Sequence, residues 1–368
     1  MLDIYIITAI ISGMIYLSIL IFLISGFLRL KQKKEDHHPT VSVVLAARNE
    51  EKNLPNCLQA LFSQQYPKEL TQIVVVDDRS FDQTPRILEQ HESKSSNLEI
   101  VRILRTPENI SPKKYALSQG ISKATGELIF TTDADCTPPP EWISATVPYF
   151  NDDVGLVMGL APYATNGHVL SKLISLNGLA AAFVSAGAAG WNVGVTCTGR
   201  NLAYRKSLFN EVNGFHKINH SLSGDDDLFL QLVKKLTPWR INFCLNPNTA
   251  VPSPAAHNLS TFISQTRRHV SASKYYNKLL QAAYLLFNLA NIYFFSFLIF
   301  SFVNPKYLLP ALSFFGLKLI LDLVSLVLIS KKVKKWYLLF LFPVWEIFYL
   351  LNQILIAPLG FIGKAKWK

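Results

Sequence analysis

Two apolar stretches bracket this chain, residues 4–28 and 279–361, and any fold it adopts has to dispose of both. The first carries no charge until Arg29. It is too long for the apolar part of a signal peptide, has no basic segment ahead of it and lacks a convincing cleavage site, so residues 1–30 are expected to form a retained transmembrane helix. The second divides into 279–303, 307–329 and 336–361, each long enough to cross a bilayer. The first two make a hairpin turning at Asn304-Pro305-Lys306. A third crossing is expected for 336–361, although Pro343, Glu346, Asn352 and Pro358 interrupt it and a crossing would leave Lys364 to Lys368 outside; a re-entrant or interfacial course is the alternative. Residues 279–368 thus read as a membrane domain of two or three spans.

Half of the 368 residues are hydrophobic and the net charge is +11. The basic clusters, at 29–34, 331–335 and 364–368, each adjoin an apolar run, which points to a membrane surface and not to nucleic acid. By that distribution the N-terminus lies outside and the region after residue 30 is cytoplasmic, in a plasma membrane of bacterial type. Cys57, Cys136, Cys197 and Cys244 are widely spaced and form neither a zinc motif nor a disulfide framework. Lys318 and Asp322, four residues apart, suit an ion pair on one helix face better than a transport path. Lys274, Tyr275 and Tyr276 fit a membrane interface.

After a polar linker, residues 31–40, strands and helices alternate through a domain spanning 41–278. Val41-Ser-Val-Val-Leu-Ala-Ala47 is a buried parallel strand by its near-continuous apolar character, and helices are expected at about 51–64, 83–92 and 112–124 between strands at 72–78, 98–104 and 127–132. This is an α/β pattern with a doubly wound, mostly parallel sheet and ligands at the strands' carboxyl ends. A small-residue helix at 168–189 suits the core under the sheet or the bilayer surface. Neither a G-x-G-x-x-G after the first strand nor a phosphate-binding G-x-x-x-x-G-K-[ST] occurs, so a nucleotide would need its diphosphate held by a metal.

The acids have suitable places. Asp133 and Asp135 follow the fourth strand, where alternation would bring both to one side to hold one hard cation, Mg2+ or Mn2+. Asp77-Asp78 closes the second strand. Asp225-Asp226-Asp227 opens a helix and exceeds what capping needs. A further helix carries Gln265, Arg267, Arg268 and His269.

Taken in order, these stations resemble the inverting family 2 glycosyltransferases, whose domain has the GT-A fold, and among them membrane-embedded members similar to ceramide glucosyltransferase and the cellulose and poly-N-acetylglucosamine synthases. The segment from Val41 to Asn49-Glu50 resembles the family's first-strand motif, whose loop contacts the base. Val75-Val-Asp-Asp-Arg-Ser80 matches its uridine-binding motif, which implies that Asp78 accepts from the base with Asp77 beside it. Lys113 falls at a donor-binding lysine, with Pro112 where the family has glycine. Gly199-Arg-Asn-Leu-Ala-Tyr-Arg205 matches the segment beside the sugar and implicates Asn201. Gly224-Asp-Asp226 takes the place of the catalytic acids, implying Asp226 as base with Asp225 as alternate, and Gln265-Thr-Arg-Arg-His269 resembles Q-x-x-R-W with histidine replacing tryptophan. The resemblance implies Asp135 as metal ligand, Asp133 supporting it or the donor's sugar side, and Arg268 on the diphosphate. It implies transfer from a nucleotide sugar, UDP-linked by the uridine motif, to a lipid or lipid-linked glycan at the cytoplasmic membrane face. A processive polysaccharide synthase and a non-catalytic nucleotide-sugar-binding module are the alternatives.

Overall fold

The computed structural model describes residues 3–30, 37–93 and 95–362. The basic residues 31–34 and 364–368, and residues 31–36 of the linker, lie outside the described residues. Helix α1 (Ile4–Arg29) is followed by β1 (Val41–Ala47), α2 (Leu54–Phe62), β2 (Thr71–Asp78), α3 (Thr84–Glu92), β3 (Leu98–Ile103), α4 (Pro112–Lys123) and β4 (Leu128–Thr131). Then come α5 (Trp142–Thr146), β5 (Val154–Gly159), β6 (Tyr163–Ala164), α6 (Val169–Gly190), β7 (Leu202–Arg205), α7 (Lys206–Glu211) and α8 (Asp227–Leu236). The chain continues through β8 (Arg240–Cys244), β9 (Ser253–Pro254), α9 (Leu259–Ala272), α10 (Lys278–Val303), α11 (Leu308–Lys332) and α12 (Phe342–Leu351).

Seven strands form the main sheet in the order β3-β2-β1-β4-β7-β5-β8. Strands β3, β2, β1 and β4 are mutually parallel, and β7 enters antiparallel to both β4 and β5. The strands are apolar on both faces because both faces are covered. Val41, Val43 and Leu45 join α2 and Trp142 in one cluster, while Val44 joins Leu117, Ile121 and α6 in another. The chain places β2 and β3 on one side of β1 and β4 on the other, so a crevice opens at the carboxyl ends where the winding reverses.

The small-residue helix α6 takes the buried course. It packs Leu176, Leu179 and Phe183 into the cluster that holds Leu156, Met158 and Tyr204 of the sheet. That cluster runs on without a break into Tyr16, Leu20, Leu23 and Phe27 of α1. Glycine makes the contact between α1 and α6 close enough for this: a methyl group at Gly187 would stand 2.5 Å from the Leu23 carbonyl oxygen, and Gly190 faces Gly26 in the same way.

By length and composition, five helical segments among the described residues can cross a membrane: Ile4–Arg29, Val169–Gly190, Lys278–Val303, Pro305–Lys332 and Trp336–Phe361. Two of these rest on the α/β domain at both ends. One is α6. The other, 336–361, is broken into a 3-10 turn, α12, a π-helical turn at Asn352–Ile356 and a second 3-10 turn. At its start Lys335 donates to the Tyr163 carbonyl oxygen, and at its end Gly360 packs on Val270 of α9 while Arg267 donates to the Ile362 carbonyl oxygen at 3.3 Å. A straight crossing carries the two ends of a segment to opposite sides, and here both ends lie against the α/β domain; by length and composition 336–361 stays among the segments that can cross.

The pair expected on α11 is present, with Lys318 Nζ 3.0 Å from Asp322, and Glu346 and Tyr16 join it. Tyr16 donates to Asp322 at 2.6 Å, so the network ties α1, α11 and α12 together.

Cysteines introduced at Ile362 and at the exposed Ser93 should react with a membrane-impermeant maleimide from the same side of the membrane. Labelling from opposite sides would establish a third crossing.

Candidate active site

The fourth strand stops at Thr131, and Asp133 and Asp135 sit in the turn beyond it, not on the strand. The turn, closed by the Cys136 N–H on the Asp133 carbonyl at 3.0 Å, still directs both acids into one cleft. The proline block after it is anchored: Gln65 N–H donates to Pro140 at 2.7 Å and Gln64 Nε2 to Pro139 at 2.8 Å.

The cleft encloses about 630 Å³ open to solvent. Lys113, the Asp133-Asp135 turn, Thr198 to Arg200 and Asp225-Asp226 face it, beside Tyr163 and Ser253. Gln265, Arg268 and His269 close it from α9, where their spacing puts them on one helix face. Lys113 Nζ lies 2.9 Å from Asp133 Oδ1 and 2.9 Å from Asp225 Oδ2, so a single ammonium joins the strand end to the acid loop. Burial disfavours that charge, but Asp133, Asp225 and Asp226 outweigh it and hold the lysine pKa above its usual range. Burial likewise raises Asp133, and Lys113 more than reverses this, so its carboxyl stays below the usual value. Asp135 is pushed up, first by burial and then by the charges of Asp133 and Glu50. A divalent cation would reverse that displacement.

Among the described residues no group of three or more histidines, cysteines or acids forms a cage for a metal. Asp133 and Asp135 alone suit a hard ion that takes its remaining oxygens from phosphates and water.

Asp226 caps α8. Its Oδ1 accepts from Asp227 N–H at 2.8 Å and its Oδ2 from Gly199 N–H at 2.9 Å. Burial, with Asp227 and Asp225 adding to it, pushes its carboxyl up to about 7. Asp227 is fully engaged elsewhere, accepting from Thr196 Oγ1, Cys197 N–H and the Tyr276 hydroxyl at 2.9, 2.7 and 2.8 Å. Tyr276 is therefore buried against the acid loop and does not mark a membrane surface.

Asn201 does not face the cleft. Its amide donates to the carbonyl oxygens of Leu160 and Thr249 at 2.8 Å each, and its oxygen accepts from Trp142 Nε1 at 2.9 Å. The expected contact with the donor sugar is replaced by a structural knot joining β5, β7 and α5. Asn49, Glu50, Asp77 and Asp78 gather on an adjoining shelf beyond the cleft, where the loops after β1 and β2 are laced together. Asn49 (φ 55°) donates from its N–H to Ser80 Oγ and accepts from Phe81 N–H, both at 3.0 Å, while Asp77 accepts from Ser80 N–H at 3.1 Å. Asp78, buried, pairs with Arg79 Nε at 2.7 Å.

Arg200 faces the cleft although the sequence reading passed over it. Its guanidinium stacks 4.2 Å above the Tyr163 ring and bonds Thr198 and Ser253. The signal was its place inside the Gly199–Arg205 motif. Tyr163 gave none, since the short pairing of β6 with β9 brings it there.

Residues 42–212 match the model for Glycosyl transferase family 2. The chain carries a family 2 glycosyltransferase domain. Glycosyltransferase AglE of Haloferax volcanii is 31% identical over 192 residues, covering 51% of this chain and 59% of that one. A beta-monoglucosyldiacylglycerol synthase of Synechocystis is 34% identical over 113 residues, 31% of this chain and 23% of that one. The chain thus spans about half or less of the curated relatives it matches. Among solved structures, mannosyltransferase PcManGT from Pyrobaculum calidifontis, in complex with GDP-Man and Mn2+, aligns with a TM-score of 0.59 at 17% identity, covering 91% of this chain and 99% of that chain. That likeness shows a shared fold: the family 2 domain here has the GT-A architecture expected, with apolar helices before and after it.

Asn201→Ala would leave the buried Thr249 carbonyl and the Trp142 indole N–H unpaired in the family 2 domain, while the Leu160 carbonyl keeps the Val251 N–H at 2.9 Å. The expected loss is about 2–4 kcal/mol in unfolding free energy, with the donor KM of the folded fraction unchanged. A raised donor KM at unaltered stability would return Asn201 to the donor site.

Proposed function

We propose that this protein is a membrane-bound inverting glycosyltransferase that moves a sugar from a nucleoside diphosphate, UDP being the favoured carrier, to a lipid or lipid-linked acceptor at the cytoplasmic face. The observation that carries the reading is the Lys113 bridge, which sets the Asp133-Asp135 turn and the acid loop on opposite walls of one cleft. Residues 41–278 form the catalytic part, with 1–30 and 279–368 as membrane anchors. The basic residues at Arg29 and 331–335 favour a cytoplasmic position for it.

A nucleoside diphosphate leaves only when its developing charge is met. A divalent ion held by Asp135, with Asp133 beside it, would supply Lewis-acid neutralisation. Lys113, Arg268 and Arg200 bring positive charge to the same wall, and the planar guanidinium of an arginine suits two phosphate oxygens at once. The laced loops at Asn49-Glu50 and Asp77-Asp78 adjoin that wall and suit the base. On the opposite wall a carboxylate takes the acceptor hydroxyl's proton as the oxygen bonds to the anomeric carbon. Geometry supports Asp225 over Asp226, because both oxygens of Asp226 already accept backbone N–H groups while Asp225 faces the void through Lys113. One base and no enzyme nucleophile give inversion. The glucosyldiacylglycerol synthase among the relatives and the apolar helices around the domain support a lipid acceptor.

Membranes supplied with UDP-sugars and Mn2+ or Mg2+ should release UDP. Asp225→Asn is expected to lower turnover about 10²- to 10⁴-fold. Asp135→Ala should remove the response to metal, and Asp226→Asn should act first on thermal stability, because an amide can accept from only one of the Asp227 and Gly199 N–H groups and turns a donor towards the other. Wild-type UDP release by both Asp225→Asn and Asp135→Ala would sink the mechanism.

A further inference from the structure

The chemistry above uses Lys113 and leaves its neighbour, Lys114, without a task. Both stand in the first turn of α4, yet they diverge. Lys113 reaches the carboxylates of the cleft, whereas Lys114 is completely buried and its Nζ donates to the backbone carbonyls of Ser221 at 2.6 Å and Ser223 at 2.7 Å. Desolvation disfavours a buried ammonium, and burial here lowers the lysine to about 8, with Asp225 and Asp226 opposing the drop.

The same helix start grips the same loop twice more. Ser111 Oγ donates to the Leu222 carbonyl at 3.2 Å, and Ser111 N–H donates to the Asn219 carbonyl at 3.2 Å. Four carbonyls between residues 219 and 223 are therefore held from one turn of α4. Immediately after them the chain turns at Gly224, whose φ of +84° suits glycine and where a Cβ would meet the Leu228 side chain at 2.6 Å. Asp225 follows. Only Gly224 lies between the last gripped carbonyl and the residue that bears the carboxylate, which leaves little slack between grip and chemistry.

The loop's other side is held at the entry to α10. The Tyr275 ring lies edge-on to His220, with centroids 4.6 Å apart, and the Tyr276 hydroxyl donates to Asp227. The acid loop is thus clamped between α4 and the junction with the membrane helices, and on the α4 side Lys114 makes the two shortest side-chain contacts.

We propose that Lys114 is a positioning residue for the acceptor-side carboxylate: by fixing the backbone of residues 221–223 it holds Asp225 across the cleft from Asp133. This rests on Asp225 acting as the base. Lys114 touches neither substrate nor metal ligand, and it acts through the loop.

The test is a double-mutant cycle on the full-length protein in membranes, read as UDP release with acceptor present. K114M is expected to lower kcat about 10- to 100-fold with donor KM within about threefold, since a displacement near 1 Å at a catalytic group has that effect. In a D225N background the same change should cost less than about twofold, because the group it positions is already disabled. S111A keeps the buried charge, removes one grip, and should show a smaller fall that D225N also absorbs; it serves if K114M does not accumulate. A merely structural lysine would multiply the two losses, and an equal K114M penalty in both backgrounds overturns the proposal. Wild-type kcat in K114M overturns it too. Full turnover in D225N alone would instead remove the base assignment, so the two failures read differently.

Discussion

A single ammonium between two carboxylates is the interaction on which this site depends. Asp133, Asp135, Asp225 and Asp226 face one cleft, and two like charges about 4 Å apart near a protein surface repel by roughly 4 kcal/mol. Lys113 makes the crowding tolerable by pairing with one acid from each wall. That demand fixes much else. Helix α4 must begin where the end of β4 and the start of α8 converge, and the reversal of winding around β1 supplies such a place. The bond is electrostatic, but its geometry comes from the packing of Leu117 and Ile121 on the sheet.

What could be read ahead of the structure followed from how much each segment's surroundings dictate its residues. Strand β1 was legible to the residue because a strand covered on both faces has to be apolar throughout. The mostly parallel sheet, the helices between its first strands and the long apolar helices at both ends were legible for similar reasons. The antiparallel β7 and the two-residue strands β6 and β9 were not, since so short a run leaves no periodic trace. The residues expected at the site divided in the same way. The acids announced themselves by their spacing. Asn201 misled, because a side chain that closes three buried hydrogen bonds and one that binds a sugar leave the same letter in the sequence. Arg200 gives no sign of its direction, and Lys114 reads as a solvated residue at a helix start although it is fully buried, because a cation's burial and direction are properties of the fold. The last apolar segment could not be resolved by length, because what distinguishes a crossing from an interfacial path is where its ends rest.

The apolar helices are continuous with the core of the α/β domain. Helix α6 lies between them, sharing one face with the sheet and another with α1. Polar ties reinforce the apolar contact: Trp191 donates to the Phe22 carbonyl at 2.9 Å and carries the Arg29 guanidinium 4.0 Å above its ring. Inside the bundle, Lys318, Asp322, Glu346 and Tyr16 pair across three segments, which sets the register of α1 against α11.

The glycine contact between α1 and α6 has a geometric consequence. Where Gly26 meets Gly187 and Gly190 there is no room for a hinge, since backbone lies against backbone. A domain joined to its anchor in this way cannot swing on a tether to sweep the space above a bilayer. Its cleft keeps one height and one tilt relative to α1. For an acceptor confined to the lipid layer, selection then becomes a matter of stature: the group that reacts is the one standing at the height where the cleft opens.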